Sequence, residues 1–114
     1  MRMTDNRSTP TDLDTASLLA DLVQYQAGAV VSRTVLKRPS GTVTAFAFDE
    51  GEGLSEHTAA FDALVILIEG AAEITVAGQP QRVAAGQVVR LPAGLPHALK
   101  ALARFKMLLV MIRE

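Results

Sequence analysis

The chain contains no cysteine. Disulfides, thiolate metal sites and cysteine nucleophiles are therefore excluded, and nothing points to an oxidising compartment, so a cytoplasmic location is expected. Tryptophan is absent too, tyrosine occurs once, and there are only two histidines, His57 and His97. Few side chains are thus available for proton chemistry near neutral pH. Charge of either sign is also scarce: 11 Lys and Arg stand against 12 Asp and Glu, for a net charge of −1. A nucleic-acid-binding face carries a basic excess, so no nucleic-acid partner is expected. The longest uninterrupted apolar stretches, 63–68 and 107–112, fall far short of the roughly 20 residues of a membrane-crossing helix. Residues 1–10 are polar and lack the apolar run of a secretory leader; they read as a disordered tail. Neither a GxSxG elbow nor a P-loop is present.

What remains is apolar and finely divided. A chain of 114 residues makes one domain, expected here over 13–114 after a tail at 1–12. Leu18, Leu19, Leu22 and Val23 fall on one face of a short helix over 16–24, with Asp14 or Thr15 at its start and Gly28 beyond its end. From residue 29 onward, β-branched and apolar runs alternate with turn signals such as Pro39-Ser40-Gly41, Gly78-Gln79-Pro80 and Pro92-Ala93-Gly94. The runs are 30–37, 42–48, 64–68, 73–76, 88–91, 98–103 and 105–112. Many short strands with Gly/Pro turns and no long second helix define an all-β sandwich or barrel. The runs 64–68 and 107–112 are apolar on both faces, where a half-exposed strand would alternate. One face belongs to the barrel interior. The other needs a second cover, and with 49% hydrophobic residues and little net charge a homodimer is expected.

The two histidines follow turn signals at regular spacing. Five residues separate Gly51 from His57, and Gly70 lies further on. Gly86, Pro92, Gly94 and His97 form a second series, and 15 residues (71–85) lie between the two. This pattern resembles the two motifs of the cupins, and over about 30–113 the chain resembles a small, stand-alone cupin of the RmlC-like superfamily. The resemblance implies a double-stranded β-helix, or jelly-roll barrel. In that family three histidines and a glutamate hold one metal ion. Here Ala59 stands where the second histidine would be, Ala63 where the glutamate would be, and Ala101 at the closing asparagine. Two donors are therefore missing.

A first-row metal requires about three protein ligands in a stable site. Two imidazoles alone mark a reduced site, with His57 and His97 as the expected ligand-binding pair and as incomplete ligands for one divalent transition metal ion. Strand alternation turns the nearby carboxylates Glu56 and Asp62 away from His57 unless a bulge intervenes. The expected function is small-molecule binding in a mostly apolar pocket, since Ala59 and Ala63 enlarge it and no Lys or Arg is clearly inward. The alternative is a metal-dependent enzyme, a dioxygenase or isomerase, using His57, His97 and a third ligand; a vestigial pocket in a purely structural dimer is the third possibility. Gly51, Gly70, Gly86 and Gly94 are expected in turns, Phe46, Phe48, Phe61, Phe105 and Met107 in the core, and Lys100, Arg104 and Lys106 on a solvated face.

Overall fold

A computed structural model describes residues 12–113, so the expected tail at 1–12 lies, apart from Asp12, outside the described residues. Within them the chain forms nine strands: β1 (Val30–Arg38), β2 (Gly41–Phe48), β3 (Gly53–Thr58), β4 (Asp62–Glu69), β5 (Ala71–Val76), β6 (Gln79–Ala84), β7 (Val88–Leu91), β8 (Pro96–Ala101) and β9 (Phe105–Ile112). They build two antiparallel sheets, β1-β2-β9-β4-β7 and β3-β8-β5-β6, facing each other as a jelly-roll barrel. The helical segment expected over 16–24 is present as a 3-10 turn at Leu19–Asp21. No side chain caps its start, and Leu18 and Leu19 are exposed; burial comes from Leu22 and Val23 just beyond it.

Seven of the strands coincide with the apolar runs of the sequence. The other two, β3 and β6, are polar (GLSEHT and QPQRVA) and lie at the two edges of the smaller sheet. An edge strand has one partner and tolerates proline, which explains Pro80 within β6. Inside the barrel, side chains of both sheets interdigitate. Phe48, Val65, Leu67, Ala72, Ile74, Val83, Leu99, Phe105 and Met107 form one buried cluster. Phe48 and Phe105 are register partners whose rings stack at 4.4 Å, closing one end of the barrel. Phe61 departs from the expected core set: it sits exposed in the β3–β4 loop at the opposite end.

The outer face of the larger sheet is also apolar, as the two-faced strands require. Leu22 and Val23 cover Ala45 and Ala47 there, with Tyr25, Val31, Val35 and Leu108 packed around them. Lys106 lies beneath this segment and is buried at 5% exposure. Its ammonium donates to the Ala20 carbonyl at 2.5 Å and sits 4.9 Å from the Tyr25 ring, while the Tyr25 hydroxyl donates to Glu69 at 2.7 Å. Burial, the bond to Glu69 and its charge push the Tyr25 phenol well above its ordinary value, so it stays a donor. Arg104 stacks over the other contact of the same ring and pairs with Asp49 at 2.9 Å. The amide of Gly28, then Arg104 and the amide of Glu50, hold the Asp49 carboxyl down at about 2. Two of the three cations expected on a solvated face thus fasten the N-terminal segment to the barrel.

Gly51, Gly70, Gly86 and Gly94 all adopt positive φ, as their turns require. Gly70 is the most constrained, at φ 84°: a Cβ there would collide with the Arg104 carbonyl and Phe105. Gly70→Ala is expected to lose about 2–4 kcal/mol of stability in urea unfolding, from backbone strain and overpacking together. A loss below about 0.5 kcal/mol would contradict that close approach.

Candidate functional site

Because β3 and β8 run antiparallel, the end of one meets the start of the other. His57, the penultimate residue of β3, is the register partner of His97, the second residue of β8. A bulge makes this pairing possible. Leu54 opposes Leu99, and unbroken register would then place Glu56 opposite His97; the extra residue between Leu54 and His57 advances the strand by one position. Without it His57 would point away from the barrel interior. The bulge that the sequence left open thus acts on His57. Asp62 keeps the outward direction set by alternation, and its carboxylate accepts the Ala93 amide at 2.7 Å.

The ring contacts fix the protonation pattern. The Ser55 carbonyl can only accept, so at 3.0 Å it receives the proton on His57 Nδ1. Neutral His57 then offers a lone pair at Nε2, which lies 3.1 Å from His97 Nε2. Beside that tautomer of His57, His97 Nε2 is the donor. His97 Nδ1 is buried. His57 is solvent-exposed and His97 only 5% exposed, with the rings edge-on at 73°. Burial, followed by the neighbouring His57 charge, lowers the His97 pKa below its ordinary 6.5, although the Leu95 backbone favours the cation.

The site continues across the smaller sheet. His57, His97, Val76 and Gln79 form one cross-strand row, and Leu54, Leu99, Ile74 and Gln81 the next. On the facing sheet the corresponding end carries Thr42, Met111, Ala63 and Leu91. Phe48, Phe105, Leu67 and Met107 are completely buried, whereas Ala63, Val76, Leu109 and Leu54 towards the histidine end are only partly so, as are Phe46 and Val30 at the other end. The rim at the histidine end is stitched together: Gly94 N–H donates to Ala59 O at 2.9 Å, and Ala77 N–H to Pro96 O at 2.8 Å, next to His97. Of the three cations expected on a solvated face, Arg104 and Lys106 are held on the outer sheet face, and Lys100 pairs in register with outward Glu73 and Gly53.

The donor set does not fit the metal of the family that the motifs resemble. Ala63 brings only a methyl group to the inner wall, Asp62 is engaged with the rim, and among the described residues no group of three or more His, Cys, Asp or Glu is placed to hold an ion. What the arrangement provides is two adjacent imidazoles in hydrogen-bond contact, beside partly buried apolar side chains.

A two-sheet antiparallel barrel with a pair of histidines at one end is a jelly-roll fold. The cupin domain family matches residues 45–112, and the chain belongs to that family. A conserved protein of unknown function from Streptococcus pyogenes is 37% identical over 88% of both chains, with a TM-score of 0.84. A cupin 2 conserved barrel domain protein from Leptotrichia buccalis is 38% identical over 82% of this chain and 46% of its own, with a TM-score of 0.79. A cupin superfamily protein from Desulfitobacterium hafniense is 28% identical over 89% of this chain and 93% of its own, also at 0.84. A salicylate 1,2-dioxygenase from Pseudaminobacter salicylatoxidans shares the fold at 14% identity, a TM-score of 0.70, and 75% coverage of this chain against 27% of its own. No curated protein matches.

The lowered His97 pKa has a consequence for stability. Unfolded His97 binds a proton below about pH 6.5 while the folded residue resists it, so its neutral form stabilises the fold above that pH. Stability is expected to fall as pH drops from 6.5 towards the folded pKa, by at most about 1.4 kcal/mol per pH unit for this one proton. Urea unfolding between pH 7.5 and 5 checks this: the slope should flatten in His97→Gln, and an unchanged slope would assign the effect elsewhere.

Proposed function

We propose that this cupin is a small-molecule-binding protein whose ligand enters the histidine end of the barrel and is held by His57 and His97. The observation that carries the reading is the edge-on pair with Nε2 atoms 3.1 Å apart on the inner wall, above partly buried apolar side chains. His97 is buried and His57 exposed, so a ligand's polar group arriving from solvent can insert between the two Nε2 atoms or bond to either one. Ala59 and Ala63 keep bulk and charge out of the same space. Binding therefore rests on the imidazoles and the apolar wall rather than on a metal.

The test is a thermal-shift and calorimetric screen of small aromatic and aliphatic ligands. A ligand at 100 times its Kd is expected to stabilise the fold by about 2.7 kcal/mol. His57→Ala and His97→Ala should each weaken binding about tenfold, in line with loss of one hydrogen bond in a dry site. Metal in protein purified without tag or chelator is expected well below one equivalent. One equivalent retained through dialysis, with binding abolished by its removal, would overturn the reading in favour of the metal-dependent enzyme.

We further propose a homodimer formed by the outer face of the larger sheet. The N-terminal segment covers only part of that face, and Leu36, Leu64, Val88 and Ile112 remain exposed, the last two at 57% and 59%. Leu36, Val43, Val110 and Leu64 form one row across four strands, and Ile66 and Val88 extend it. A continuous apolar patch of this kind is what a self-complementary two-fold contact buries. Light scattering at micromolar concentration should give twice the chain mass, and Leu64→Glu should shift it to the monomer. A monomeric native protein would defeat this proposal and leave the pocket reading intact.

A further inference from the structure

The mouth of the barrel carries a cation that no motif position predicts. Asp62 and Ile112 are the last register partners of β4 and β9, and both point outward. One step further along each strand come Phe61 and Arg113. Both lie just beyond the strand ends, at the same end of the barrel as Ala63 and Met111. The two are in contact, with the Arg113 guanidinium 5.4 Å from the centre of the Phe61 ring. Phe61 lies four positions after His57, with three residues between, so their Cα atoms are at most about 14 Å apart.

We propose that Arg113, seated on Phe61, is the anion-recognising group of the pocket, and that the ligand is a small apolar carboxylate. This rests on the reading of the two-histidine cavity as a ligand site and names the chemical class that the site takes.

Three observations carry it. The Arg113 guanidinium lies against the Phe61 ring at 5.4 Å, and its planar set of N–H donors is the array that matches a carboxylate with two parallel bonds. The Arg113 backbone is fixed, its N–H donating to Ser40 O at 2.7 Å, so the side chain starts from a defined point on the rim. And among the described residues Arg113 has no carboxylate partner. The ion pairs there are Arg104 with Asp49 and Lys106 with Glu69, on the other face of the sheet. Asp62, the acid nearest in sequence to Phe61, is turned outward onto the Ala93 amide. Lys37 stands in register with inward Thr42 at the same end and adds a second positive charge, while Glu56, in the β3 bulge, is exposed. Below the cation the wall is Ala63, Met111, Leu109 and Val76, which suits a hydrocarbon or aromatic body, and across from it the His97–His57 pair faces the body's polar substituents.

The test compares acids with their uncharged isosteres: benzoate against benzamide, and hexanoate against hexanamide, by isothermal titration calorimetry at low and moderate salt. At least one acid is expected to bind about tenfold more tightly than its amide, with the difference shrinking as salt rises. Arg113→Gln should abolish the preference while leaving amide affinity within about twofold. Arg113→Lys should keep part of it, since charge remains but the fork is lost. Equal affinity for acid and amide in the native protein would overturn the role of Arg113 and leave the pocket reading standing. Acid selectivity that survives Arg113→Gln would place recognition elsewhere on the mouth and equally overturn it. Binding of neither acid nor amide would defeat the carboxylate assignment, and the wider ligand screen would then decide the pocket reading separately. Thermal unfolding of each variant, expected within a few degrees of the native protein, separates a binding effect from misfolding.

Discussion

The geometry of the site depends on a single extra residue in β3. Between Leu54 and His57 the register with β8 shifts by one position. Since strand side chains alternate with a period of two, that shift decides which face His57 occupies. An unbulged β3 would bring Glu56 to the inner wall opposite His97 and send His57 to solvent. The bulge also frees a carbonyl from regular pairing, and the Ser55 carbonyl takes the proton of His57 Nδ1. The same local irregularity thus orients the ring and selects its tautomer. The direction of the hydrogen bond to His97 follows from that choice.

The remainder of the fold holds the two ends of the barrel differently. At one end, stacked Phe48 and Phe105 fill the space between the sheets, and the Gly70 turn approaches so closely that no Cβ fits. At the histidine end, the contacts are polar: Asp62 to Ala93, Gly94 to Ala59, and Ala77 to Pro96. These bonds tie together the loops on which the histidines sit. An apolar plug there would hold the loops as well, but it would occupy the space beside the histidines. Cross-linking the rim through backbone amides fixes the mouth without one. On the outer face, the buried Lys106 ammonium, the Tyr25 hydroxyl and Glu69 fasten the N-terminal segment to the larger sheet.

Much of this was legible in the sequence, for reasons that differ by residue. The central strands are apolar runs cut by glycine and proline, so seven of nine were visible; β3 and β6 were not, because these edge strands bring only Leu54 and Val83 to the core, too few to write a pattern. The spacing of Gly86, Pro92, Gly94 and His97 located the histidine end, since turn geometry constrains residue type. Parity was illegible, because a bulge leaves no compositional trace in Leu54-Ser55-Glu56-His57. Lys106 looked like a surface charge and is buried, because only the chain 86 residues away supplies its Ala20 acceptor. Phe61 looked like core by type, yet it lies on the rim, where the chain crosses between the sheets.

The distribution of charge follows from the alanines. A metal ion is ordinarily the largest positive charge in a site of this fold, and it sets what a ligand must be. With Ala59 and Ala63 in place of donors, the inner wall keeps only two imidazoles. His97 is driven towards its neutral form by burial. The positive potential at this end of the barrel then comes from the rim, from Arg113 on Phe61 and from Lys37, about one chain crossing away from the histidines. Selection among ligands accordingly moves outward, from the centre of the barrel to its mouth. The imidazoles read hydrogen bonds, the wall reads shape, and the rim reads charge.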